Sequence, residues 1–121
     1  MPRRALLAVA VYAAVLAVNR SLVRVHGPSM RPTYHHGDLL LTLPIPPAAV
    51  RTGDVVVVAD PWHDDHLVVK RVARIDTDGV QVHGDDPEHS TDSRVWGPLG
   101  AERLRRRVVT RVKTGPAAAG T

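Results

Sequence analysis

The stretch Gly53-Asp54-Val55-Val56-Val57-Val58-Ala59 decides the fold. A turn pair of Gly and Asp leads into a short apolar run of β-branched residues, which reads as a strand. The same entry recurs earlier, where Gly37-Asp38 leads into Leu39–Leu43. This echo marks a shared way of entering a strand and not an internal repeat. Working outward, Leu67–Ile75 reads as a third strand. Val80–Val82 follows Asp78-Gly79 as a fourth, and Val108–Val112 as a last one. Pro44, Pro46 and Pro47 forbid a helix between the first two runs. Short strands separated by Gly, Pro and Asp turns predict a mainly β protein, a compact antiparallel sheet or barrel.

Upstream of the strands the pattern changes. Ala5–Val18 (ALLAVAVYAAVLAV) is unbroken by any polar residue, with Arg3 and Arg4 before it and Asn19 and Arg20 after it. As a helix this run measures about 21 Å, short of a hydrocarbon core of about 30 Å. A secretory signal, a buried core helix and a membrane anchor compete. The anchor is preferred. No clean small-x-small cleavage site follows the run, and no polar face interrupts it. Arg20 can snorkel, and Leu22, Val23 and Val25 are expected to lengthen the apolar segment. The expected organisation is an anchor segment at 1–24, a catalytic β domain at 25–113 and a flexible tail at 114–121. With Arg on both flanks, the positive-inside rule orients the segment only weakly.

The chain has 121 residues, enough for one domain with a thin core. It contains no Cys, which excludes disulfides and thiolate chemistry. The net charge is +4, and the Arg residues gather at the two ends. Few aromatics accompany them, so an anionic membrane surface is a better expected partner than nucleic acid. His63-Asp64-Asp65-His66 offers no defined ligand set, and neither metal nor cofactor is expected.

The stretch Gly27-Pro28-Ser29-Met30-Arg31-Pro32-Thr33 holds a serine between prolines outside any helix. That restricts its backbone, as a nucleophile requires, although a turn serine looks the same. A serine hydroxyl needs a base. The histidines sit in apparent loops, whereas Lys70 lies in Leu67-Val68-Val69-Lys70-Arg71-Val72. Alternation there puts Val68, Lys70 and Val72 on one face. A lysine between two valines on an inward face is desolvated, and its pKa falls toward a base's range. A lysine snorkelling at a strand edge fits the pattern too. The third stretch, Gly84-Asp85-Asp86-Pro87-Glu88-His89-Ser90-Thr91-Asp92-Ser93-Arg94, is a polar loop. In it Asp92 and Arg94 can pair if the segment is extended, and Ser90 can orient an amine.

Together these stretches resemble the bacterial signal peptidase I family. Ser29-Met30-Arg31-Pro32-Thr33 is similar to its Ser-Met-x-Pro-Thr box and Lys70-Arg71 to its Lys-Arg box. Gly84-Asp85-Asp86, Ser90, Asp92-Ser93-Arg94 and Gly97 match its last box, with Asp86 where Asn is usual. The resemblance implies a Ser-Lys dyad, with Ser29 as nucleophile and Lys70 as general base. It implies that Ser90 orients the lysine and that Asp92 and Arg94 brace the last box. The Ser29 backbone N–H would serve as an oxyanion donor. Some members carry a second donor hydroxyl two residues before the nucleophile, and here that position is Gly27. The implied substrate is a precursor protein whose N-terminal signal or pro-segment is removed after small residues. The implied location is the cell membrane, single-pass, with the catalytic domain extracytoplasmic.

The stretch between the Lys box and the last box is short. The chain therefore resembles a compact branch, such as the proteases that mature nickel superoxide dismutase in actinobacteria. Two alternatives share some of these features. A self-cleaving Ser-Lys repressor has the first two boxes but not Asp-Ser-Arg, and a non-catalytic membrane-anchored β module would bind peptides without cutting them.

Overall fold

The structure is a computed structural model that describes residues 2–116. It opens with helix α1, Arg3–Ser21, longer at both ends than the apolar run inside it. None of its residues is buried, and Leu6, Leu7, Val9, Val11 and Tyr12 are all exposed. Its 19 residues span about 28 Å, close to the thickness of a hydrocarbon core. Length and composition make it a candidate membrane span.

At Leu22 the backbone turns extended, and β1 (Leu22–Arg24) begins with no linker. Leu22 and Val23 therefore do not lengthen the apolar helix. They pair with Leu41 and Leu40 of β2 (Leu39–Leu43), because a strand edge satisfies their backbone groups. The end of the helix is stitched to the same strand. The Thr42 hydroxyl donates to the Ser21 carbonyl at 2.8 Å. The Arg106 guanidinium donates to Thr42 Oγ1 at 2.7 Å and reaches Ser21 Oγ at 3.4 Å. A cation at a helix C-terminus, where carbonyls lack partners, is favourable.

The remaining strands are β3 (Val55–Asp60), β4 (His63–Asp76), β5 (Gly79–His83) and β6 (Leu104–Lys113). All strands join one antiparallel sheet in the order β1-β2-β6-β3-β4-β5. The sheet is open, with β1 and β5 at its edges. β3 lies inside it and is covered on both sides. Val56 and Val58 join a cluster with Val72, Val82 and Leu104, while Val55 and Val57 join Met30, Leu40 and Val69 on the opposite face. An uninterrupted valine run suits such a strand because neither face meets water.

Every expected strand is present. β4 is longer than expected at its start and β6 gains Leu104–Arg107. The expected tail includes Gly115, whose N–H donates to Asp38 Oδ1 at 2.7 Å; residues 117–121 lie outside the described residues.

Candidate active site

A cavity of about 240 Å³ opens beside β4. Ser29 and Lys70 both line it, together with Val68, Asp60, His26 and Trp96. Val68 and Val72 belong to the cluster on one face of the sheet and Val69 to the other, as the strand period requires. Lys70 is only 4% exposed. Burial pushes its pKa down; the Asp92 and Asp60 carboxylates offset this in part, and Arg94 adds to the lowering.

The lysine amine donates to Ser90 Oγ at 3.1 Å, and Ser90 Oγ in turn donates to Asp92 Oδ2 at 2.6 Å. Because a carboxylate only accepts, the Ser90 proton is committed to Asp92. The hydroxyl then has lone pairs free for the lysine N–H. Ser90 thus fixes the direction of the amine. Ser29 is half-buried, and its backbone N–H donates to no described residue.

Asp92 is fully buried and caps α2 (Ser93–Trp96) by accepting from the Arg94 N–H at 3.1 Å. Its carboxylate also takes Arg94 Nε at 2.9 Å, Arg94 Nη2 at 2.6 Å and the Gly84 N–H at 2.8 Å. Burial opposes the charge, but the hydrogen bonds from Arg94, Ser90 and Gly84 outweigh it and hold the carboxyl far below the usual range. The pair is formed, though not on an extended segment as expected. Arg94 sits in the first turn of α2, and Asp92 reaches it as an N-cap.

Gly84 lies at the meeting point of these groups. Its N–H goes to Asp92, and its carbonyl accepts from Arg94 Nη2 at 3.1 Å. A Cβ there would come within 2.6 Å of both the Ser29 carbonyl oxygen and Ser90 Cβ. Only glycine lets the Ser29 turn approach the last box this closely. Asp86 completes the contact by donating its N–H to the Ser29 carbonyl at 2.8 Å. Its side chain accepts from Arg31 at 3.4 Å and contacts His89 Nδ1 at 3.0 Å, an ionic role that an asparagine would not fill.

Gly27 is in the left-handed region at φ +82°, with open space where a Cβ would stand. Its N–H donates to His36 Nδ1 at 2.9 Å, so this backbone donor is already engaged.

Behind Lys70 lies a network of residues for which the boxes imply no role. Arg71 points away from Lys70 and grips Asp85 with Nε at 2.9 Å and Nη2 at 2.8 Å. Asp85 also accepts from Thr33 Oγ1 at 2.6 Å. One carboxylate thereby ties together all three boxes. The signal was present, since each residue lies inside a quoted box, but nothing in the spacing showed that they meet.

A family profile described as Peptidase S24-like matches residues 9–94. Mitochondrial inner membrane protease subunit 1 of Xenopus tropicalis is 30% identical over 108 residues, covering 71% of this chain and 65% of that protein. Mitochondrial ATP-independent inner membrane protease subunit 1a of Arabidopsis thaliana is 29% identical over 117 residues, covering 76% and 70%. The Homo sapiens mitochondrial inner membrane protease subunit 1 is 25% identical over 113 residues, covering 75% and 68%. The chain thus spans just under two thirds of the frog relative's length. No solved structure matches the chain.

Proposed function

Because this chain belongs to the Peptidase S24-like family, we propose that it is a membrane-anchored serine endopeptidase that removes N-terminal signal or pro-segments after small residues. The observation that carries the reading is the buried Lys70 amine, held by the Ser90–Asp92 pair on the wall of the cavity that Ser29 also lines.

In this reading the Ser29 Oγ attacks the scissile carbonyl while Lys70 Nζ takes the hydroxyl proton. The tetrahedral oxyanion is met by the Ser29 N–H. As the C–N bond breaks, the protonated Lys70 returns its proton to the leaving amine. Water then attacks the acyl-enzyme, with Lys70 again accepting a proton, and the acid product leaves with Ser29 restored. The names of the relatives as membrane proteases support this class. The Asp92–Arg94 box favours it over the self-cleaving repressor type. Helix α1 supports a single-pass anchor in the cell membrane, and a β domain outside the cytoplasm is part of the same reading.

The test is cleavage of a fluorogenic peptide with small residues before the scissile bond. Ser29→Ala and Lys70→Ala should each remove turnover while the fold survives. The double variant should be scarcely worse than either single one, since the two act as a unit. Normal turnover by Lys70→Ala would exclude this mechanism.

A further inference from the structure

We infer that Arg111, on the last strand, is a positioning residue for the nucleophile loop, holding the Ser29 turn in register through Thr33 and Asp38. The inference rests on the protease reading above and concerns the same site.

The loop that carries Ser29 leaves the sheet after Val25 and rejoins it before β2. Its base is closed by two backbone bonds, Gly37 N–H to the Val25 carbonyl and Val25 N–H to the Asp38 carbonyl, each 2.8 Å. Within the loop, turns at Pro28–Arg31 and Met30–Tyr34 set its local shape, but a nucleophile also needs the whole loop held in one orientation against the sheet. On one side the loop is held by Asp85 through Thr33 and by Asp86 through the Ser29 carbonyl.

A second hold comes from β6. Arg111 Nη1 donates to the Thr33 carbonyl at 3.3 Å and to Asp38 Oδ2 at 3.1 Å. Its guanidinium carbon stands 6.0 Å from the centre of the Tyr34 ring. One nitrogen therefore bridges Thr33 and Asp38 at the two ends of the segment that returns the loop to the sheet.

Asp38 is the fixed point of this clasp. It is fully buried, and its carboxylate also accepts the His35 N–H at 2.9 Å and the Gly115 N–H at 2.7 Å. Burial opposes the charge, but the bonds from Gly115, His35 and Arg111 prevail, so its carboxyl stays below the ordinary range. A buried carboxylate that remains ionised keeps its demand for the guanidinium. Removing Arg111 frees the Thr33 carbonyl from its charged donor, and Thr33 is joined to Ser29 through only Met30, Arg31 and Pro32.

The test is steady-state cleavage by the full chain in detergent, with Arg111→Gln, Arg111→Lys and Ser29→Ala beside the parent, well below every unfolding midpoint. Arg111→Gln leaves the buried Asp38 carboxylate without its guanidinium and should lower the unfolding midpoint, so each variant's midpoint sets the assay temperature. Arg111→Gln should lower kcat about tenfold to a hundredfold with KM within about twofold, as a displaced nucleophile predicts. The pH midpoint of the rate should not move, because the surroundings of Lys70 are untouched. Arg111→Lys should recover part of the loss by keeping one charged donor. A parental kcat in Arg111→Gln overturns the inference, whatever its unfolding midpoint, and so does a change confined to KM. A parent chain that matches Ser29→Ala in cutting nothing overturns the protease reading itself, and this inference with it.

Discussion

In the proposed mechanism Lys70 serves as the base because of where its amine is kept. An exposed lysine is protonated at neutral pH, and a protonated amine cannot take the serine proton. Here burial lowers the pKa against the pull of Asp92 and Asp60. Only the neutral amine is active, so kcat/KM should rise with pH and level off above a midpoint lower than the ordinary lysine value of about 10.4. Val68 lines the same cavity and offers a handle. Val68→Asp would place a carboxylate where a methyl group stands, favour the charged amine and move the midpoint upward. The rate at pH 7 should then fall about tenfold for every pH unit by which the midpoint rises. A profile of kcat/KM between pH 6 and 10 measures this, and a flat one would assign the base to another group.

At the scale of elements, strands were legible where one residue class ran on without interruption. Val55–Ala59 is such a run, and its burial on both faces explains why it needs no alternation. The sequence was silent where side chains belied the backbone. Leu22–Arg24 follows a hydrophobic helix and looks like more of it, yet β2 claims its backbone groups. His63–His66 looks like a polar loop, but it forms the exposed start of β4. Arg105–Arg107 reads as a basic cluster, yet Arg107 pairs with Leu43 and Val56 across the sheet while Arg106 reaches the end of α1. Ser29, Lys70 and the Asp92–Arg94 pair were legible as candidates because each lies in a local box. The Asp38–Arg111 pair was not, since 73 residues separate its members. Helix α1, apolar on every side and unburied, should hold the chain in the membrane fraction through carbonate washing. A chain beginning at Arg20 keeps Ser21 for Thr42 and Arg106. It should be released, still cut small peptides and process a membrane-bound precursor poorly. Release of the full chain by carbonate would show that α1 lies on the bilayer instead of crossing it.

The molecule as a whole is basic, yet three of its aspartates are the fixed points of its loops. Asp38, Asp85 and Asp92 all have carboxyl groups held below the ordinary range by their donors. In the unfolded chain each would protonate near pH 3.9. Between that value and the lower folded one, the unfolded state binds protons that the folded state does not, so stability rises with pH there. The contribution is complete above about pH 5 and is lost as pH falls through the folded values. Urea unfolding of the chain beginning at Arg20 should show a steep loss from pH 5 to 2. Asp92→Asn should be weaker at pH 7 but lose less over that range; an unchanged slope would mean that Asp92 does not carry the effect. The Ser29 box and the last box meet at Gly84, and this has an asymmetric result. The Ser29 carbonyl and the Ser90 side chain come together there because a side chain is missing between them, so their separation already stands at the smallest thickness a polypeptide allows. No replacement at position 84 can draw Ser29 and Ser90 closer. Every replacement is a shim, and it can only widen the gap.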